Sequence, residues 1–218
     1  MKKFAVIGLG KFGFHVAKSL FESGNEVVAI DSRKPQVQAI DPFSTEAMVL
    51  DATDKEALDA LGLENMDAVI LSIGTNISNS ILICLHLQEI GVPNIVAKAL
   101  DKDHEKILKR VGATRVIHPE RDMAIRLSRN LSQPNVLDFI PLADEFDLIQ
   151  VEPPEKFIGK SLADLQLRAK YNVHVIAVKE AGEKGLKLIP PAGYVIRKSD
   201  VLMLLGKSDD VSKIKALK

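Results

Sequence analysis

Phe4-Ala5-Val6-Ile7-Gly8-Leu9-Gly10-Lys11-Phe12-Gly13, followed by Glu26-Val27-Val28-Ala29-Ile30 and closed by Asp31, decides the fold of this chain. An apolar run, a G-x-G-x-x-G loop, a helical pattern, a second apolar run and an acid follow in order. Each part has a physical task. Gly8 allows the tight turn off the strand, Gly10 lets the backbone approach a pyrophosphate, and Gly13 lets the helix pack close to the sheet. Helix N–H groups and the helix dipole then face the phosphates. Asp31 is placed to accept hydrogen bonds from ribose hydroxyls, with Ser32 directly after it. In this strand–turn–helix–strand–acid context the loop predicts an adenine-nucleotide site.

The same alternation continues outward. Short apolar runs at 4–7, 26–31, 45–50, 67–73, 94–98 and 114–118 read as strands, with helical patterns at 11–23, 34–40, 54–61, 76–90 and 101–110 between them. That pattern predicts an α/β fold, a Rossmann-type doubly wound parallel sheet of order 3-2-1-4-5-6, with ligand at the carboxyl ends of the strands. Gly24, Gly62, Gly91 and Gly112 stand where C-cap glycines belong, and Asp54 and Asp101 where N-caps belong. A further helix runs from Pro119 to Leu131, and Gln133-Pro134-Asn135 breaks it. Residues 136–140 read as a short strand or ordered linker. A small α+β unit starts near Asp144, with strands at 146–152, 172–180, 185–189 and 200–206 and helices at 161–168 and 208–216. Glu180 to Gly185 reads as a hairpin connection, and Pro190-Pro191-Ala192-Gly193 as a turn. The expected domains are therefore 1–133 and 134–218.

Composition narrows the function. Lys+Arg and Asp+Glu both total 29, so the net charge is zero, which argues against an electrostatic grip on nucleic acid or anionic lipid. The single cysteine, Cys84, lies in an apolar run and fits a buried residue of a reducing compartment. No run of about 18 uncharged apolar residues predicts a membrane span. The start Met1-Lys2-Lys3 enters a strand at once and lacks the pattern of a signal peptide, which predicts a cytoplasmic protein without direct membrane insertion.

Two further loops lie at the ligand edge. Asp51-Ala52-Thr53 follows the third strand, where Asp51 can accept from an adenine amine or Thr53 can cap the next helix. Ser72-Ile73-Gly74-Thr75-Asn76 follows the fourth strand, where Gly74 permits close approach of sugar or phosphate. Lys11 can reach a terminal phosphate or be a solvated residue of the first helical turn. Lys98 ends the fifth strand and suits a phosphate or partner contact. Glu120, after His118-Pro119, suits a helix dipole, a metal or an interface. Hydride transfer needs an acid/base or a substrate-holding cation near a nicotinamide. The second unit offers Arg168, Lys170, Tyr171, His174 and Arg197, with no Tyr-x-x-x-Lys pair and no Cys/His metal spacing. His174 alternates with apolar residues and is expected on an exposed strand face.

Val6 to Gly13, Asp51-Ala52-Thr53, Lys98-Ala99, Gly112-Ala113-Thr114-Arg115-Val116-Ile117-His118-Pro119-Glu120 and Leu167-Arg168-Ala169-Lys170-Tyr171 occur in register. With these residues the chain resembles, over essentially its whole length, the cytosolic regulatory subunits of bacterial potassium transporters, the KtrA/TrkA proteins. Their module, the RCK domain, has an N-lobe and a C-lobe. The resemblance implies a non-enzymatic gating subunit that binds ATP or ADP, and in some members NAD(H), at the carboxyl edge of the sheet. It implies homodimers assembled to an octameric ring on the cytoplasmic face of a membrane potassium-translocating subunit of KtrB/TrkH type. It also implies a divalent cation (Mg or Ca) held by Glu120 between the two nucleotides of a dimer, with the helix starting there as the crossover. Asp51 and Ala52 then flank the adenine, and Lys11 tunes the phosphate end. Many relatives carry arginine at Lys11; lysine acts as a point charge where arginine binds a phosphate bidentately. Cyclic di-AMP is implied at the C-lobe, near Arg168, Ala169, Asn172 and Pro191. The alternatives are an NAD-dependent oxidoreductase of unknown substrate and a stand-alone cyclic di-AMP receptor.

Overall fold

The computed structural model describes the chain except residues 75, 133–135, 144, 183, 184, 216 and 218, and describes backbone alone at 129, 130, 132, 136–143, 212 and 215. The helix break expected at 133–135, the expected start of the second unit at 144, Thr75 and two residues of the expected hairpin connection lie outside the described residues.

Two compact units form, Met1–Arg121 and Asp122–Lys218. The first alternates β1 (Lys3–Ile7), α1 (Lys11–Glu22), β2 (Glu26–Asp31), α2 (Lys34–Ile40), β3 (Glu46–Val49), α3 (Lys55–Asp59), β4 (Ala68–Leu71), α4 (Ile77–Ile90), β5 (Ile95–Lys98), α5 (Lys102–Arg110) and β6 (Arg115–Ile117). All neighbouring strands pair in parallel, in the order β3-β2-β1-β4-β5-β6. This is the expected Rossmann-type order. Side chains alternate across a strand, so β1 serves two cores. Ala5 and Ile7 pack with Ile83, Cys84 and Leu87 of α4 and Leu108 of α5. Val6 packs on the opposite face with Ala17 of α1 and Val37 and Ile40 of α2. Strands covered on both faces must be apolar throughout, which is why they read as short unbroken apolar runs. Cys84 is buried in the first of these cores, as expected.

Helix ends follow from single residues. Asp54 accepts from the N–H groups of Glu56 and Ala57, Asn76 from Asn79, and Asp101 from Asp103 and His104, so α3, α4 and α5 are capped. Thr53 does not cap α3; its N–H and hydroxyl both donate to Asp51 Oδ1, at 3.0 and 2.8 Å. Gly91 closes α4 in the left-handed region, at φ 92°.

α6 (Pro119–Ser132) begins at the proline, whose missing N–H costs nothing in a first turn. The division between units falls inside α6, whose Met123, Ile125 and Leu127 are exposed. The second unit continues with β7 (Val136–Ala143), β8 (Phe146–Val151), α7 (Leu162–Leu165), α8 (Leu167–Tyr171), β9 (His174–Lys179), β10 (Lys187–Leu188), β11 (Val201–Lys207) and α9 (Ser208–Lys215). Its antiparallel sheet has the order β10-β9-β11-β8-β7. The single helix expected at 161–168 is two. Leu165 and Leu167 are both buried, and in a continuous helix residues two apart point away from each other. Gln166 adopts φ 47° between them and returns both side chains to one core. The strand expected at 185–189 is shorter, because Ile189 leaves the extended region at φ 49°. His174 is exposed on β9, as its alternation predicts.

α1 sits so close to β1 that a Cβ at Gly13 would lie 1.9 Å from the carbonyl oxygen of Gly8. Gly13→Ala should therefore cost about 1–3 kcal/mol, the usual penalty for overpacking, read from the urea midpoint. An unchanged midpoint would contradict this seating.

Candidate functional site

The turn from β1 into α1 opens at the carboxyl edge of the parallel sheet. Gly8 adopts φ 92°, and a Cβ there would meet the Ser72 carbonyl oxygen at 2.8 Å. Gly10, the residue before α1, has open space where its side chain would be. No side chain caps α1, in contrast to the capped α3, α4 and α5, and its first turn holds no acid. The free N–H groups and positive dipole end of a helix of this length suit an anion.

Asp31 ends β2 and is buried. Its Oδ2 accepts from the Leu9 N–H at 2.7 Å, which ties the glycine turn to the neighbouring strand. Its Oδ1 accepts from the Arg33 N–H at 2.9 Å. The Arg33 guanidinium lies across the carboxylate, with Nε 3.1 Å from Oδ1 and Nη2 3.3 Å from Oδ2. Burial pushes the Asp31 carboxyl up, but the Arg33 side-chain bond, the Leu9 and Arg33 N–H groups and the Arg33 charge together hold it below the usual carboxylate range.

A cleft of about 480 Å³ gathers Gly8, Gly10, Asp31, Ser32, Asp51, Ala52, Ser72, Ile73, Gly74 and Asn76. All were singled out in the sequence. Arg33, Leu50, Thr53, Asn79 and Ile83 line it as well. Of these Arg33 is the consequential addition, and its signal was a cation two residues after the strand-ending acid. Asp51 is held below its usual range by the Thr53 N–H and hydroxyl. Asn76 lines the cleft while capping α4 with an acceptor 3.1 Å from the Asn79 N–H.

A second cleft of about 430 Å³ adjoins the first through Gly10, Ser72 and Gly74. It collects Lys11, Phe12, Lys98 and Glu120, with Leu100, His118 and Arg121 around them. The Lys98 side chain is only 11% exposed, and its ammonium pairs with the carboxylate of Glu120, whose side chain is 70% exposed. A Cβ at Gly74 would stand 3.4 Å from Lys98 Nζ, so the glycine leaves room for the ammonium. The Lys98 bond is the main cause that lowers the Glu120 carboxyl. Gly13 lines neither cleft; it lies buried beneath them. One carboxylate paired with an ammonium does not make a divalent-cation site, which takes about six oxygens or more. Among the described residues no three acidic, histidine or cysteine side chains gather as a metal group. A single chain thus does not build the centre that the resemblance implies at Glu120.

Behind this edge His118 is buried and its Nε2 donates to Glu105 Oε2 at 2.8 Å. In the second unit a cleft of about 840 Å³ is lined by Arg168, Ala169, Asn172 and His174, and by Pro190 and Ala192 on either side of Pro191.

The TrkA-N domain model matches residues 4–119 and the TrkA-C domain model residues 148–218. The chain belongs to the KtrA/TrkA family of RCK-domain proteins. Within that family it is 42% identical to Ktr system potassium uptake protein C of Bacillus subtilis (strain 168), over 97% of this chain and 95% of the relative. It is 40% identical to Ktr system potassium uptake protein A of the same organism, with the same coverage. The GsuK channel bound to NAD shares the fold at a TM-score of 0.68 and 17% identity, over 99% of this chain and 39% of that longer one.

The Glu105 carboxyl is pulled down to about 2 by its bonds to Lys109 and His118, with burial opposing. A folded pKa below the unfolded one stabilises fully above the unfolded value of about 4.3 and loses that stabilisation as pH falls. Melting temperatures should therefore drop between about pH 4.3 and about pH 2, and Glu105→Gln should flatten that limb. Parallel curves for the two proteins would contradict the pairing.

Proposed function

We propose that this chain is a cytosolic, non-enzymatic, nucleotide-sensing subunit that controls ion flux through a membrane potassium-translocating partner. The supporting observation is the pair of joined clefts, which match a nucleotide in order. Asp51 and Ala52 border the adenine end, Asp31 faces the ribose, and Gly8, Gly10 and the bare N-terminus of α1 receive the diphosphate. Lys11 and Lys98 in the second cleft face whatever extends beyond it. ATP would place its third phosphate there; ADP would not. NAD, bound in the structure of the GsuK channel, would fill both clefts in the same orientation, and NADH likewise.

The second cleft also supplies a route from ligand to assembly. A third phosphate beside Lys98 competes with Glu120 for the ammonium. Glu120 lies in the first turn of α6, and Met123, Leu127 and Leu131 form an exposed apolar stripe along that helix. Such a stripe suits the homodimer, and beyond it the octameric ring, that the family resemblance implies. A Glu120 carboxylate released from Lys98 is also the group this chain offers to a divalent cation shared between two copies. Nucleotides shift such an assembly only by binding two of its conformations unequally. The family resemblance supports the proposed partner, the cytoplasmic location and the docking on the membrane face. Among the described residues no helix is long and apolar enough to cross a membrane. The C-lobe cleft around Arg168, Ala169 and Asn172 is the place proposed for cyclic di-AMP.

Calorimetric titration of ATP, ADP and NADH, with size analysis of each complex, tests the proposal. Saturable ATP and ADP binding by an assembly larger than a monomer, without NADH turnover, is expected; a monomer that oxidises NADH would overturn it. In a chelating buffer, Glu120→Gln should tighten ATP relative to ADP by about two- to fivefold, the scale of one exposed ion pair. An unchanged ATP/ADP ratio would remove Lys98 from phosphate sensing.

A further inference from the structure

The acid at the end of β2 is not bare. The Arg33 guanidinium covers both of its oxygens, at 3.1 Å to Oδ1 and 3.3 Å to Oδ2. An uncovered carboxylate at this position accepts from the ribose 2′-hydroxyl and repels a 2′-phosphate, whereas a nearby arginine accommodates that phosphate. Here the two devices coexist in one cleft. Asp31 keeps its own anchor, the Leu9 N–H at 2.7 Å, whether or not Arg33 stays on it. The Arg33 side chain is 61% exposed, so water can replace Asp31 as its partner. Ser32, with its hydroxyl, and Arg33 both line the cleft, and the exposed Lys34 follows. A hydroxyl and two cations in sequence, Ser32-Arg33-Lys34, are groups that hold a phosphate.

Resting on the adenine-nucleotide site proposed above, we infer that Arg33 is a specificity-determining residue of that site. With Ser32 it lets the cleft take adenine nucleotides phosphorylated on the ribose 2′-oxygen as well as those with a free diol. A free diol binds by exchange: its hydroxyls replace the guanidinium on Asp31, and Arg33 turns to solvent. A 2′-phosphate takes the guanidinium with it, forming a bidentate pair that offsets the repulsion of Asp31.

The test is calorimetric titration of the full chain with ADP, AMP and adenosine 2′,5′-bisphosphate. The last two differ only in the 2′-phosphate. The wild type should bind the bisphosphate at least as well as AMP. Arg33→Gln changes an exposed side chain and should fold normally. It should weaken the bisphosphate by about tenfold or more, the scale of a lost hydrogen bond to a charged group. AMP and ADP should hold or tighten by about two- to fivefold, as the competing ion pair disappears. If the wild type binds ADP and AMP but rejects the bisphosphate, or if Arg33→Gln weakens all three alike, the inference fails and the nucleotide site stands. If neither ADP nor AMP binds the wild type, the nucleotide site itself fails, and the inference with it.

Discussion

The seating of α1 on the turn that leaves β1 is the constraint on which the rest of the first unit depends. Gly13 has no side chain because the Gly8 carbonyl oxygen occupies that space. The contact fixes where α1 begins, and hence where its bare N-terminus points. The Leu9 N–H bond to Asp31 then locks the same turn to the end of β2. A phosphate-facing helix end and a ribose-facing acid are thereby held by one short loop. The ligand edge is rigid for reasons of packing, before any ligand is considered.

On that edge the electrostatics are arranged as exchangeable pairs. Arg33 covers Asp31, and Lys98 covers Glu120. Each pair joins a nearly buried group to an exposed one, and the exposed member can leave. In the proposed site a nucleotide would meet charges that are already neutralised, and its binding would be a substitution of partners. That arrangement suits the sensing role proposed above. In the proposed account the free energy of binding would go into rearranging contacts at the start of α6.

Much of this was legible in the sequence. The glycine spacing, the unbroken apolar runs and the strand-ending Asp31 specify the sheet order and the ligand edge, because each is imposed by local geometry. Residues placed in the clefts from sequence lie there for the same reason: they end parallel strands or stand in the turns and helix starts that follow them. The two ion pairs were not legible. Lys98 and Glu120 are brought together only by the adjacency of β5 and β6, and the Arg33 side chain could have turned to solvent. Likewise, the break at Gln166 follows from two leucines that must reach one core, which local helix propensity does not register. The alternation that marked His174 as exposed worked at the start of β9, where Val173 before it is buried.

The central claim is that an adenine nucleotide lies across Gly10 with its ribose on Asp31. A crystal structure of the full chain grown with ATP tests it most directly. Density is expected for a diphosphate over the N-terminus of α1, for ribose hydroxyls within hydrogen-bonding distance of the Asp31 carboxylate, and for a third phosphate beside Lys98. A nucleotide bound elsewhere, or one that leaves Arg33 on Asp31 and Glu120 on Lys98, would contradict it.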